Sequence, residues 1–383
     1  MKVRIVDATA LSAVAPKALH AYLRANDWEK VEAYGDKGDV YARPDAPEIV
    51  APASSDFIDY AETLGRVISI LSRTETRSEL SILRDLSVAD TDLIRVRAQE
   101  AEDDGSIGLE AGVELIQQSR NLLLAAACSA SRPQRAYRAG KIREATEYLN
   151  DVRIGQTERG SFVVTLLSPV PPSLTPAAQG TFWPELQEEP FSRKVTRTLR
   201  DALHAVKEAV SLANRGDGIE AFESRVPKGV SANLCDAVAK LIVGGNGLDV
   251  SLAWALTRPA PERRVGVRFP RSDADILGEA AKVLREREPR PGERLQGFVT
   301  ALAKGSEADL GRVTLKAMID DKLSSVRIYF DPDDYKRVVE AHREWQPVSL
   351  EGDLQREGQR WKLLNPRDLM VLPEDPDDVD DSE

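Results

Sequence analysis

From Leu109 to Ser129 the chain carries no proline, and its second half is apolar almost all the way round. Leu122, Leu123 and Leu124 run straight into Ala125, Ala126 and Ala127. A helix of that composition has no face to give to water, so it must lie at the centre of whatever forms around it. A second segment of this kind is Ser161–Val170, an apolar run closed by Pro169, Pro171 and Pro172. Its length and β-branched content fit a strand buried on both faces. A buried helix beside a buried strand requires a layered body of mixed type, and we expect an α+β fold.

The rest of the chain up to residue 290 reads the same way. Lys2–Val6 is expected as a short strand before a first helix through Leu19, Tyr22 and Leu23. Gly38–Ala42 and Glu48–Ala51 are strands separated by the turn Pro44-Asp45-Ala46-Pro47. Ile58, Ala61, Leu64, Val67, Ile68 and Leu71 recur at helical spacing, and Glu79–Leu86 continues as a second helical segment. In Leu93–Ala98, Arg95 and Arg97 alternate with apolar residues, as in a strand with one open face. Helices are predicted over Lys141–Asn150, Ser192–Asn214, Ser231–Val243 and Asp273–Glu286, and strands over Leu248–Leu256 and Arg264–Phe269. The order of elements in 57–170 and in 192–286 is loosely similar. A diverged duplication of one unit explains this, and so does chance, because no residue-level repeat accompanies it.

At 383 residues the chain is long enough for two or three domains of roughly 150 residues each. Composition shifts suggest an N-terminal α+β domain over 1–172, a proline-rich linker over 173–190 and a second α+β unit over 191–290. A small barrel over 291–372 and a disordered acidic tail over 373–383 complete the division. The tail carries seven acids and no base, most of the net charge of −11, and cannot bury a core. The two cysteines, Cys128 and Cys235, exclude a disulfide framework, and three histidines exclude a multi-His metal centre. We expect no cofactor. No run of eighteen apolar residues occurs and no secretory leader is apparent, so we expect a cytoplasmic chain with no membrane partner.

Residues 294–372 have their own pattern. Leu295–Ala303, Gly311–Ile319 and Ser325–Phe330 read as three strands, the second alternating Val313, Leu315, Ala317 and Ile319. Asp331 then caps a helix with Pro332 at its first position, acids Asp333 and Asp334 in the first turn, and Tyr335, Val338, Val339 and His342 inward. Val348–Leu354, Arg360–Leu364 and Leu369–Leu372 are closing strands. Three strands, a helix and then two or more strands resembles the OB fold. The segment Val348-Ser349-Leu350-Glu351-Gly352-Asp353-Leu354 is similar to a fourth OB strand, in which glycine permits a sharp bend. Gly297 in the first strand suits the same purpose. The resemblance implies a five-stranded barrel plugged by one helix and a binding role for single-stranded nucleic acid, oligosaccharide or protein. SH3-like barrels are an alternative.

Arg312, Lys316 and Arg327 are candidates to line one barrel face, with Tyr329 and Trp361 as stacking surfaces. Against this, Arg290–Leu372 holds 14 Lys/Arg and 14 Asp/Glu, and solvated charges with half-buried aromatics explain the same residues. A second basic concentration is Arg132, Arg135 and Arg138, continuing to Lys141 and Arg143, suited to phosphate or an acidic protein. A third candidate is the polar loop with Arg153, Gln156, Glu158 and Arg159, although it lacks a Walker lysine and no helix follows it. His204, Cys128 and Cys235 have no partner nucleophile or base at a telling spacing. No catalytic constellation emerges. The expectation is therefore a non-catalytic binding or scaffold protein acting through the barrel, with a protein partner in a bacterial-type multiprotein assembly. The alternatives are nucleic-acid binding through the barrel and the Arg132–Arg143 stretch, or an enzyme with a carboxylate or arginine site that spacing does not reveal.

Overall fold

The computed structural model describes residues 4–98, 107–138, 142–155, 163–171, 189–244, 246–261, 264–304, 310–357 and 360–373. The chain is an α+β protein. It divides into two compact units, residues 1–133 with 137–278, and residues 134–136 with 279–383. The expected linker and acidic tail fall almost wholly outside the described residues.

The first unit opens with α1 (Ala8–Ser12) and α2 (Pro16–Ala25), then β1 (Glu29–Ala33), β2 (Gly38–Ala42) and β3 (Ile49–Pro52), then α3 (Tyr60–Thr74) and α4 (Glu79–Ser87). The three strands form an antiparallel sheet in the order β1-β2-β3. Leu19, Tyr22, Trp28, Tyr41, Ile49, Leu64, Ile68 and Leu71 meet in one core. The strand expected over Lys2–Val6 is absent from its described part. Instead, the Ile5 amide donates to the Glu79 carboxylate at 2.8 Å, and directly after Val6 the Asp7 carboxylate caps α1 by accepting from the Thr9 and Ala10 amides.

Next come β4 (Thr91–Ala98), α5 (Leu109–Ser131), α6 (Arg143–Asp151), β5 (Arg153–Ile154) and β6 (Val163–Pro169). They are followed by α7 (Phe191–Leu212), α8 (Glu220–Glu223), α9 (Ala232–Val243), β7 (Gly247–Ala253) and β8 (Arg264–Pro270), and then by α10 (Ala274–Arg287), within which the first unit ends at Gly278. The second sheet is antiparallel throughout, in the order β5-β6-β4-β7-β8. Strands from both sides of residues 173–190 therefore share one sheet. As the sequence suggests, α5 is central and packs against α6, α7 and α9. Val163, Val164, Thr165 and Leu166 are all buried, which fits the expected two-sided burial of that strand. β4 buries Asp92, Ile94, Val96 and Ala98 on one parity and leaves Arg95 and Arg97 on the other.

One buried cluster ties this body together. The Asp92 carboxylate accepts from Arg193 Nε at 3.0 Å and Nη2 at 2.9 Å, from Thr196 Oγ1 at 2.6 Å and from the Ala255 amide at 2.8 Å. The Arg193 guanidinium also lies 5.1 Å from the Trp254 ring. Burial raises the Asp92 carboxyl from its ordinary value, while these four donors favour the carboxylate.

The second unit holds β9 (Arg290–Lys304), β10 (Gly311–Ile319), β11 (Lys322–Phe330), α11 (Pro332–Arg343), β12 (Val348–Glu357) and β13 (Arg360–Val371). The strands close into a barrel in the order β10-β11-β13-β12-β9, with β11 and β13 parallel. With α11 between the third and fourth strands, this is the OB-like arrangement. Gly297 is where β9 passes from pairing with β10 to pairing with β12, for it faces both Ala317 and Val348. A Cβ there would fall 1.8 Å from the Lys316 carbonyl oxygen. Gly352 is confined in the same way by Leu363 and Leu364, beside register shifts in β12. Val313, Leu315, Val326, Ile328, Val348, Leu350, Leu354 and Leu363 fill the barrel.

The helix α11 begins as expected, with the Asp331 carboxylate accepting from the Asp333 and Asp334 amides and Pro332 in its first turn. Its ring Tyr335 lies over Gly311, where a Cβ would sit 1.9 Å from the ring. His342 Nδ1 lies 2.8 Å from the Val299 carbonyl oxygen. Val339 is exposed and not inward; Val338 and Ala341 are the buried pair, one turn apart. The two closing strands expected over Arg360–Leu372 are one, since register shifts in the opposing β12 absorb the irregularity.

Candidate nucleic-acid interface

The outer surface of β10 and β11 follows from the two-residue period of a strand. While Val313, Leu315 and Ala317 point into the barrel, Arg312, Thr314, Lys316 and Met318 lie on the other side. On β11 the inward residues are Val326, Ile328 and Phe330, leaving Ser325, Arg327 and Tyr329 outward. Antiparallel pairing sets Arg312 opposite Tyr329, Thr314 opposite Arg327 and Lys316 opposite Ser325. Two residues join from the neighbouring strands. Lys362 of β13 is in register with Arg327, and its ammonium lies 5.6 Å from the Tyr329 ring centre. Phe298 of β9 faces Lys316 and is exposed.

Arg312, Lys316, Arg327 and Lys362 therefore form one patch around Tyr329. No carboxylate occupies an outward position of β10 or β11 between Arg312 and Tyr329, apart from the turn Asp320-Asp321. Among the described residues, none of the four cations forms an ion pair. Several acids of this unit pair with cations away from this patch. Asp320 binds Arg290 at 2.9 Å, Asp333 and Asp334 pair with Lys336 and Arg337 along α11, and Glu351 binds Arg367 beside β12. The local charge of zero is thus a sum over oppositely charged surfaces. The Arg290 guanidinium holds Asp320 below the usual carboxylate range.

The structure separates Trp361 from this patch. Its neighbour in register is the inward Val326, and its ring packs against the barrel core. The Arg290 and Arg356 guanidiniums lie 5.1 and 5.7 Å from its ring centre. Lys362 and Phe298 are the members that sequence reading missed. Their signal is strand register, which a single strand's alternation does not carry.

The other candidates do not gather into a comparable patch. Arg132 follows the end of α5 and is exposed, as is Arg138; Arg135 is half-buried and its amide donates to Glu288. Arg143 is bound to Glu147. Arg153 Nη1 donates to the carbonyls of Asn150 and Val152. Gln156, Glu158 and Arg159 lie outside the described residues. Cys128 and Cys235 are buried, and burial pushes their thiols up to about 11 and about 12, so neither is an activated nucleophile at neutral pH. Among the described residues no cluster of histidine, cysteine and acidic side chains has the makings of a metal site. Nor is any helix there long and apolar enough to cross a membrane.

Comparison with known proteins returned no matching family model, no matching curated protein and no matching solved structure.

Proposed function

We propose that this is a non-catalytic binding protein acting through its OB-like barrel, and that the β10–β11 face takes single-stranded nucleic acid. The observation that carries the reading is the Arg312, Lys316, Arg327 and Lys362 patch, free of ion-pair partners among the described residues and centred on Tyr329. Cations track a phosphate backbone, and an aromatic ring beside them offers a stacking surface to a base without demanding its identity. A cytoplasmic setting belongs to the same reading.

Fluorescence anisotropy with a labelled single strand, repeated over a range of salt, tests it. Binding should weaken steeply with salt. Replacing Arg312 and Arg327 by Ala should reduce the magnitude of the log–log slope by roughly 0.7 for each phosphate no longer neutralised. No binding at low salt defeats the proposal.

A second reading, a protein partner within a multiprotein assembly, is favoured by a different observation. Met318 and Leu323 face each other at the end of the β10–β11 hairpin and are both more than half exposed. An apolar pair of this kind fits the centre of a protein contact better than a phosphate track. Replacing Met318 and Leu323 by Ser should release such a partner in a pull-down while leaving nucleic-acid affinity unchanged.

A further inference from the structure

In the first unit, a cleft of about 1000 Å³ opens between one flank of α7, the end of α5, the turn Val226–Lys228 and the edge strand β8. A space of that size accommodates a small molecule. Lys194, Lys228 and Arg264 line it from three different elements, and none has an ion-pair partner among the described residues. The two carboxylates of the lining are already answered. Asp201 binds Arg200 at 2.8 Å, and Glu208 lies 3.5 Å from Arg225. Three uncompensated cations around one concavity make a field that favours an anion.

The wall that carries Lys228 is fixed in place. Gly229 is buried at φ +96°, and a Cβ there would sit 3.0 Å from Thr198 Cγ2 and from Ala202 Cβ on α7. Its carbonyl accepts from Ser129 Oγ at 3.1 Å. The turn is therefore pressed onto α7 and tied to α5, and a side chain at Gly229 would crowd Thr198 and Ala202 from a backbone that favours glycine. The last turn of α5 brings Ser129, Ala130 and Ser131 to the same cleft. Carbonyls at a helix end have no further helical N–H to bind and accept from other donors.

We propose that this cleft binds a phosphorylated small molecule bearing hydroxyl groups, with phosphate on Lys194, Lys228 and Arg264 and hydroxyls donating to the end of α5. This is the chemistry shared by nucleotides and sugar phosphates. The inference does not rest on the barrel reading, because every residue it uses lies in the first unit.

Isothermal titration calorimetry of the full chain at low ionic strength, with ADP and with ribose 5-phosphate as probes, tests it. Binding of ADP alone identifies a nucleotide site, and binding of both identifies a sugar-phosphate site. Replacing Lys228 and Arg264 by Ala should weaken either probe about tenfold or more, since charge-assisted bonds to phosphate are removed. Lys194→Ala should weaken it in the same direction. Circular dichroism should be unchanged, because all three side chains are exposed. Replacing Arg327 and Lys362 by Ala should leave the affinity as it was. Failure of both probes to bind, indifference to the cleft substitutions, or loss of binding in the barrel variant overturns the proposal.

Discussion

Asp92 and Arg193 are each almost completely buried, and among the described residues each is the other's counter-charge. Removing one leaves the other charge in the interior without its counter-charge. Asp92→Ala is expected to cost about 3–5 kcal/mol, the range for breaking a buried pair from one side. Arg193→Met should cost a comparable amount, and urea denaturation should show the double variant well short of the sum of the two losses. The thiols offer a second test. Their ordinary value is 9.0, and in the folded chain they are raised to about 11 and about 12. The folded protein thus keeps its thiol protons over a range where the unfolded chain gives them up. This contribution to stability is complete below pH 9 and is lost as pH rises toward 11–12. At pH 8 neither cysteine should react with an aromatic disulfide reagent until denaturant is added. Early reaction of either would show that its burial is not maintained in solution.

At the scale of elements, the barrel turns on two glycines that differ in kind. Gly311→Ala pushes against the Tyr335 ring, a side chain, whereas Gly297→Ala pushes against the Lys316 carbonyl, the backbone of a paired strand. Gly297→Ala should therefore be the costlier change, by about 1–3 kcal/mol in the range typical of overpacking, as thermal unfolding of the two variants would show. The barrel was legible in the sequence because Val313, Leu315, Ala317 and Ile319 alternate strictly, and because Asp331-Pro332-Asp333-Asp334 announces the start of a helix. β1 was not legible, since all five of its residues are exposed and Glu-Lys-Val-Glu-Ala holds no burial pattern. Val339 misled because the helical spacing admits either Val338 with Val339 or Val338 with Ala341, and only the position of the barrel wall selects between them. The cationic face was half legible. Arg312, Lys316, Arg327 and Tyr329 share a parity within their strands, but Lys362 and Phe298 reach them through pairings across the barrel. Trp361 was misplaced for the same reason, one residue of parity separating it from Lys362.

For the whole molecule, net charge is a poor guide to behaviour. At −11 the chain would be expected to pass through a sulfated polysaccharide column, yet the barrel gathers four cations on one face and the cleft gathers three more. We expect retention at low salt, and replacement of Arg312 and Arg327 by Glu should shift elution to lower ionic strength. Unshifted elution would place the dominant cationic surface elsewhere. The first unit draws strands from both sides of residues 173–190 into one sheet, so cutting the chain within that segment should leave the two sides bound to each other by the β4–β7 ladder.

The passage of β9 at Gly297 from one neighbour to the other has a practical consequence. That strand is a stave held from both sides, joined to the rest of its barrel by a single covalent crossing before β10. Two polypeptides divided at that crossing, one ending with the stave and one supplying the remaining four, have the makings of a complementation pair in which each half becomes whole only in the presence of the other.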